Sequence, residues 1–355
     1  MSPKGYFAGL LGVLALLLGA AAGMVFTVDP LQLFRKASLY EPVIIFDERT
    51  QNAGLIRNYP SDSLIIGSSI SQVCRADDFA GALGGTFLRV SSAGLTAKEL
   101  AFYLDHRFRR DKPARVYDIQ YWYTFARENA LGFREEYGEF PEHLYRFSAG
   151  DAARYLINYD NINLSISVIA EALGLRRLER IPFEQRNSSE IDPSRKKGRA
   201  SVMKLYGQIV KGGRPNAAFI RNERARMITG LRDLYEPTIA ANPDVEFDIV
   251  IPPFSIAYYQ AFGASAIYRL NTIMLFRDML ADLKDRHENV RLHDFATDAS
   301  VIFDYDLYFD THHYGERVCK RMAETMASAP EGVKSDDVRR NTRALRDLIR
   351  TSPAP

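Results

Sequence analysis

The chain has almost no excess of charge of either sign. Its 355 residues carry 46 Lys and Arg against 44 Asp and Glu, a formal net charge of +2. A nucleic-acid partner therefore has no electrostatic support. Cysteine is scarce as well, with only Cys74 and Cys319. No Cys/His spacing of the metal-binding kind occurs. Asp298, Asp304 and Asp306 share one loop, but their spacing matches no calcium loop, so no metal is expected. A Gly-x-Gly-x-x-Gly fingerprint and a Walker-type loop are both missing, which leaves a nucleotide-binding α/β protein without a phosphate cradle. No internal repeat or low-complexity segment stands out.

Long apolar runs are nearly absent too, and the single exception sets the compartment. Residues 5–28 contain no charged side chain and are dominated by Leu, Ala, Gly and Val. As a helix they span about 36 Å, enough to cross a bilayer. Lys4 precedes the run and Asp29 follows it. The positive-inside rule then puts the N-terminus in the cytoplasm and the rest of the chain outside the inner membrane, as a single-pass protein. A cleaved signal peptide is the alternative, with Ala20-Ala21-Ala22 supplying small residues for cleavage. Either way the remainder is periplasmic or extracellular.

Two short stretches carry the chemistry. Ser63-Leu64-Ile65-Ile66-Gly67-Ser68-Ser69 reads as a strand running into a tight turn, with a helix expected over about 71–80. A serine there exposes its hydroxyl at the C-terminal end of a strand, and its own N–H points at whatever the hydroxyl attacks. Far downstream, Asp310-Thr311-His312-His313 puts a carboxylate three residues before a histidine, ahead of the last amphipathic helix. A serine hydroxyl needs a base, and the base needs an orienting group. By itself Ser69 is as well explained by helix capping. Ser68 and His312 are the neighbours that compete for the two roles.

Between these stretches, strands are expected at 63–67, 86–90, 115–120, 246–251 and 290–292, with helices between them. Among the helices, 217–236 is expected to stop at Pro237. The alternation implies an α/β fold: a doubly wound parallel sheet with helices on both faces. The expected division is a membrane anchor over 1–29 and a connecting segment over 30–60. An α/β domain follows over 61–328 with a helical insertion at about 135–215, then a charged tail over 329–355. Residues 187–199 are polar and expected to form a surface loop; their basic run Arg195-Lys196-Lys197 is expected to be solvated, or to touch anionic lipid or polymer. His287 and His293 flank the fifth strand with no partner that the sequence names.

Gly67-Ser68-Ser69 after the first strand, Gly94 after the second, and Asp310-x-x-His313 before the last helix resemble the blocks of the SGNH (GDSL-type) hydrolase family. The likeness covers roughly 61–327. It is nearer to membrane-anchored, exported members such as the D-alanyl-transfer proteins of teichoic-acid operons and the alginate O-acetylation proteins. The resemblance implies a flavodoxin-like (SGNH-like) sheet and an acyl-serine mechanism. Ser69 would be the nucleophile, His313 the base and Asp310 its orienter. The N–H groups of Ser69 and Gly94 would form the oxyanion hole. One departure stands out. The third block normally supplies an asparagine, and Asp118-Ile119-Gln120-Tyr121-Trp122 has none, so Gln120 or a backbone N–H would have to substitute. Tyr121, Trp122 and His312 are candidates for substrate contact, although the aromatic run at 121–125 is more simply explained by packing at the sheet's end.

The function so implied is that of a serine esterase or O-acyltransferase acting on acyl groups of a cell-envelope polysaccharide, with no cofactor. Its partners would be that polymer, the membrane and a membrane-bound O-acyltransferase. The alternative is a catalytically silent domain of the same fold that binds polymer or scaffolds such an enzyme. In the strand order 2-1-3-4-5, the first and last helices cover the same face. Cys74 and Cys319 are then expected to lie close together, as a disulfide or as two buried thiols.

Overall fold

The computed structural model describes residues 2–38, 40, 48–136, 138–175, 196–213, 215–265, 267–353 and 355. Most of the expected loop at 187–199, including Arg195, lies outside them. The chain forms two compact units, residues 1–60 with 140–183, and residues 61–139 with 184–355. The sequence suggested one insertion over about 135–215. Of that stretch, residues 140–175 fall in the first unit and residues 196–213 in the second.

In the smaller unit, Pro3–Val28 is one continuous helix of 26 residues, long and apolar enough to cross a membrane. Gly5 donates to the Ser2 side chain at its start, and Asp29 ends it in a left-handed conformation. The Asp29 carboxylate then accepts from the backbone N–H groups of Leu33, Phe34 and Arg35. Arg35 in turn donates to the carbonyls of Phe26 and Thr27 at the helix end. The unit is completed by Glu48–Asn58, Glu142–Arg146, Ala149–Leu156 and Tyr159–Ala172.

The larger unit holds a five-stranded, wholly parallel sheet: β1 (Ser63–Gly67), β2 (Phe87–Ser91), β3 (Arg115–Ile119), β4 (Glu246–Ile251) and β5 (Val290–Asp294). The spatial order is β2-β1-β3-β4-β5. Every residue of β1 is buried, and so are all but the first of β3 and of β4. Burial of both pleats means that both faces of these strands are covered, as apolar runs in parallel strands require.

Two helix expectations need correction. After β1 the chain makes a 3-10 turn at Ser69–Ser71, and the regular helix begins only at Ala76, as Ala76–Leu83. Pro237 does not stop the helix begun at Ala217. Ala217–Thr229 passes through a π-helical stretch, Gly230–Tyr235, into Glu236–Ala240. A proline lacks an N–H and crowds the carbonyl four residues earlier; the wider turn just before it relieves both demands. The C-terminal tail forms Ser335–Thr351, which buries Val338, Thr342 and Leu345. Arg277, itself 2% exposed, ties it down by donating to Thr342 Oγ1 at 3.0 Å while pairing with Asp294 at 2.8 Å.

Cys74 and Cys319 are bonded as a disulfide, their Cα atoms 5.1 Å apart across 245 residues of sequence. Cys319 lies on the helix Glu316–Ser328, which packs against Ala76–Leu83 just beyond Cys74. Adjacency of the first and last helices, expected from the strand order, is thus present.

Candidate active site

The strand ends gather the functional side chains. Gly67 of β1 pairs with Ser91 of β2 and Ile119 of β3, so the loops that follow all three leave the sheet at one edge. Gly67 has to be glycine: a Cβ there would sit 2.8 Å from the Ile119 carbonyl oxygen and 2.9 Å from Ser71 Oγ. The Ser71 hydroxyl donates to the Ser68 carbonyl at 2.7 Å, closing the turn that presents Ser69.

The histidine loop is a short hairpin closed by a bridge between Tyr308 and Tyr314, with Phe309 N–H donating to the His313 carbonyl at 2.8 Å. It is fastened to the exit of β4, where Ser255 Oγ donates to the Thr311 carbonyl at 2.6 Å and Tyr308 donates to the Pro253 carbonyl at 2.6 Å. Asp310 Oδ1 accepts the N–H groups of His312 and His313, each at 2.9 Å. The carboxylate is therefore held by backbone before it meets any ring.

These two loops bring three side chains into a relay. Ser69 Oγ lies 2.8 Å from His313 Nε2, and His313 Nδ1 lies 2.7 Å from Asp310 Oδ2. An ionised carboxylate can only accept, so Nδ1 carries the proton and Nε2 is left to accept from the serine. Burial pushes the Asp310 carboxyl up. The charge of His312 and the hydrogen bond and charge of His313 more than offset that, and hold it well below the ordinary carboxylate range. Ser68 takes no part: its hydroxyl is buried and has no hydrogen-bond partner among the described residues. His312 stacks on Tyr121, with ring centres 5.4 Å apart and planes 19° apart, and meets Phe254 edge-on and Tyr258 at a tilt. Asp310, His312 and His313 have the spacing of a metal-ligand set, yet Asp310 and His313 are already engaged in the relay.

Gly94 sits at φ +59°, and its backbone N–H, like that of Ser69, donates to no acceptor among the described residues. Its carbonyl accepts from Arg127, and the Ala93 carbonyl accepts from Arg134 at 3.0 Å. A Cβ on Gly94 would collide with both guanidinium groups. Sequence reading missed these two arginines, because nothing in the spacing of a lone arginine says which carbonyl it will reach.

Two expected site residues turn elsewhere. The Gln120 amide donates inward to Asp118 Oδ2 at 2.5 Å, so the oxyanion role suggested for it lapses. Asp118 is 1% exposed, and its burial creates a demand for a donor that Gln120 meets. Trp122 is buried and donates from Nε1 to the Tyr258 hydroxyl at 2.7 Å, so it is packing and offers no wall to a substrate. Tyr121 does line the histidine loop, through its stack on His312.

The remaining polar candidates are structural. Asp298 and Asp304 cap short helical turns by accepting from Ser300 and Asp306. His293 pairs with Asp248 at 2.8 Å and His287 with Glu236 at 3.0 Å. Lys197, expected in solvent, places its ammonium 4.8 Å from the ring centre of Phe309, next to Asp310.

No family model and no curated protein matches the chain. A solved structure described as that of "a putative platelet activating factor from Streptococcus pneumonia" aligns over 79% of this chain and 90% of that one, at 10% sequence identity and a TM-score of 0.39. A likeness that distant carries no argument about what this chain does.

Proposed function

We propose that the protein is an exported, membrane-anchored serine esterase or O-acyltransferase with an SGNH-like, flavodoxin-like α/β domain, acting on acyl groups of a cell-envelope polysaccharide. The observation that carries this is the hydrogen-bonded relay of Ser69, His313 and Asp310. His313 Nε2 takes the proton from Ser69 Oγ as that oxygen bonds to the acyl carbon. The N–H groups of Ser69 and Gly94 hold the developing oxyanion. Protonated His313 then returns its proton to the departing alcohol, leaving an acyl-serine. A sugar hydroxyl or water gives its proton to His313 and attacks the same carbon; His313 then passes that proton to Ser69 Oγ as its bond to the acyl carbon breaks. Asp310 stays ionised throughout and steadies the imidazolium. No step calls for a cofactor.

Export is supported by the apolar helix Pro3–Val28 and by the Cys74–Cys319 disulfide, a bond rare in reducing compartments. The acceptor polymer and a membrane-bound O-acyltransferase as partner come from the family resemblance alone. A second reading has one observation in its favour. With its amide turned toward Asp118, Gln120 does not replace the missing asparagine as a donor, as a catalytically silent polymer-binding or scaffold domain would tolerate.

A fluorophosphonate probe separates the two. Covalent labelling of the protein, lost in Ser69→Ala and retained in Ser68→Ala, is expected of the enzyme. No labelling of the folded protein would leave the scaffold role.

A further inference from the structure

Apolar side chains outside Pro3–Val28 are exposed in one place above all. Six of the eleven large apolar residues exposed there, among those described, fall within residues 157–175: Ile157, Tyr159, Ile166, Ile169, Leu173 and Leu175. Three of them, Ile166, Ile169 and Leu173, recur at helical spacing along or just past the helix Tyr159–Ala172. An adjoining side of that helix is occupied: Asn161, Ser165 and Val168 are buried. Val168 packs with Leu164 and Tyr40 against Val28, the last residue of the apolar N-terminal helix. A helix in water turns polar residues outward and apolar ones inward. This one buries Asn161 and Ser165 and leaves Ile166 at 50% and Ile169 at 37% exposure, with Leu173 and Leu175 exposed just past its end.

We infer that Tyr159–Ala172 is a second membrane-seated element, lying in the headgroup–acyl boundary beside the end of the spanning helix. The inference rests on the anchor proposed above. Three observations fix lipid as the occupant. The exposed stripe belongs to an element that packs directly on the apolar helix Pro3–Val28. The junction is rigid: the Tyr155 hydroxyl donates to Asp29 Oδ1 at 2.9 Å and accepts the Leu31 N–H at 3.1 Å. Around that junction Phe26, Phe34, Phe147 and Tyr155 form one aromatic cluster, with ring centres 4.9 to 6.0 Å apart. Phe26 is 47% exposed at the end of the apolar helix, so the cluster carries that helix's apolar surface onto the junction. Tyr159–Ala172 itself carries only Asp160 and Glu171 as charges, so its attachment draws on apolar burial and not on anionic lipid.

The full-length protein reconstituted in phosphatidylcholine vesicles tests this. A single environment-sensitive fluorophore is attached through Leu14→Cys, Ile166→Cys or Leu173→Cys; the native cysteines are bonded to each other and do not react. Nitroxide deep in the acyl chains should quench the label at 14. Nitroxide near the headgroup should quench the labels at 166 and 173, and aqueous iodide should not. If the label at 14 is quenched while those at 166 and 173 respond only to iodide, the anchor stands and the second element is refuted. Labels at 166 and 173 shielded from lipid and iodide alike would mean that protein covers the stripe, and would equally refute it. A label at 14 that no lipid nitroxide reaches overturns the anchor itself.

Discussion

Of two adjacent serine hydroxyls, the one at Ser69 lies against the His313 ring. The Ser68 hydroxyl is buried without a hydrogen-bond partner among the described residues, whereas Ser69 Oγ lies 2.8 Å from His313 Nε2. Ser69→Ala should therefore lower esterase or acyl-transfer activity by at least about 10³-fold, and His313→Ala by as much, with the double variant no worse, since relay members act as a unit. Ser68→Ala should stay near the parent level. Steady-state rates on an acyl ester, with circular dichroism to verify folding, check both statements. His312 is a separate case: it is caged by Tyr121, Phe254 and Tyr258, so His312→Ala should raise KM more than it lowers kcat. Gly94 is held from behind by two guanidinium groups. Arg134→Met should let its loop drift and cost up to about 10² in kcat, the scale of one misplaced oxyanion donor, with KM little changed.

At the scale of the element, β3 carries a titrating group that the proposed chemistry does not use. Burial pushes the Asp118 carboxyl up to about 7, only partly countered by its hydrogen-bonding neighbours. In the unfolded chain the same group ionises near about pH 3.9. Between those values the folded protein binds the proton and the unfolded chain does not, so stability falls as pH rises through that window. The contribution is fully present below about pH 4 and gone above about pH 7. Asp118→Asn should flatten that limb of a plot of Tm against pH, and an unchanged slope would show that Asp118 ionises normally. The 3-10 turn after β1 belongs to this scale as well. Ser69 has its neighbouring N–H groups from one tight turn and not from a long helix, so helix-dipole stabilisation of an anion there is small.

For the molecule as a whole, the disulfide closes a loop of most of the α/β unit and joins the segment between Ser69 and Ala76–Leu83 to the helix after His313. In the chain-entropy account such a loop is worth up to about 5 kcal/mol. Cys319→Ser should thus lower Tm markedly and lower activity with it, since the same bond ties the two halves of the relay together. Thermal melts with and without reductant measure the first effect. Localisation is the companion prediction. A reporter enzyme active only after export should work when fused after Asp29, and a reporter active only in the cytosol should not.

The sequence by itself determined what depends on local pattern. Five strands, most helices, the spanning stretch and the two chemical blocks follow from periodicity, composition and the residue types that turns demand. These signals act over a few residues and survive without tertiary context. What lay between segments was decided by the fold. That Gln120 serves Asp118 and not an oxyanion depends on how deeply β3 is buried, a property of its neighbours. The grip of Arg127 and Arg134 on the Gly94 loop links residues more than thirty positions apart through long, freely rotating side chains, and no spacing rule reports that. The family resemblance and the offset from Asp310 already pointed to Ser69 and His313; that these two side chains meet while the Ser68 hydroxyl is buried was decided where the two turns come together, because adjacent residues of like chemistry differ only in where the backbone aims them.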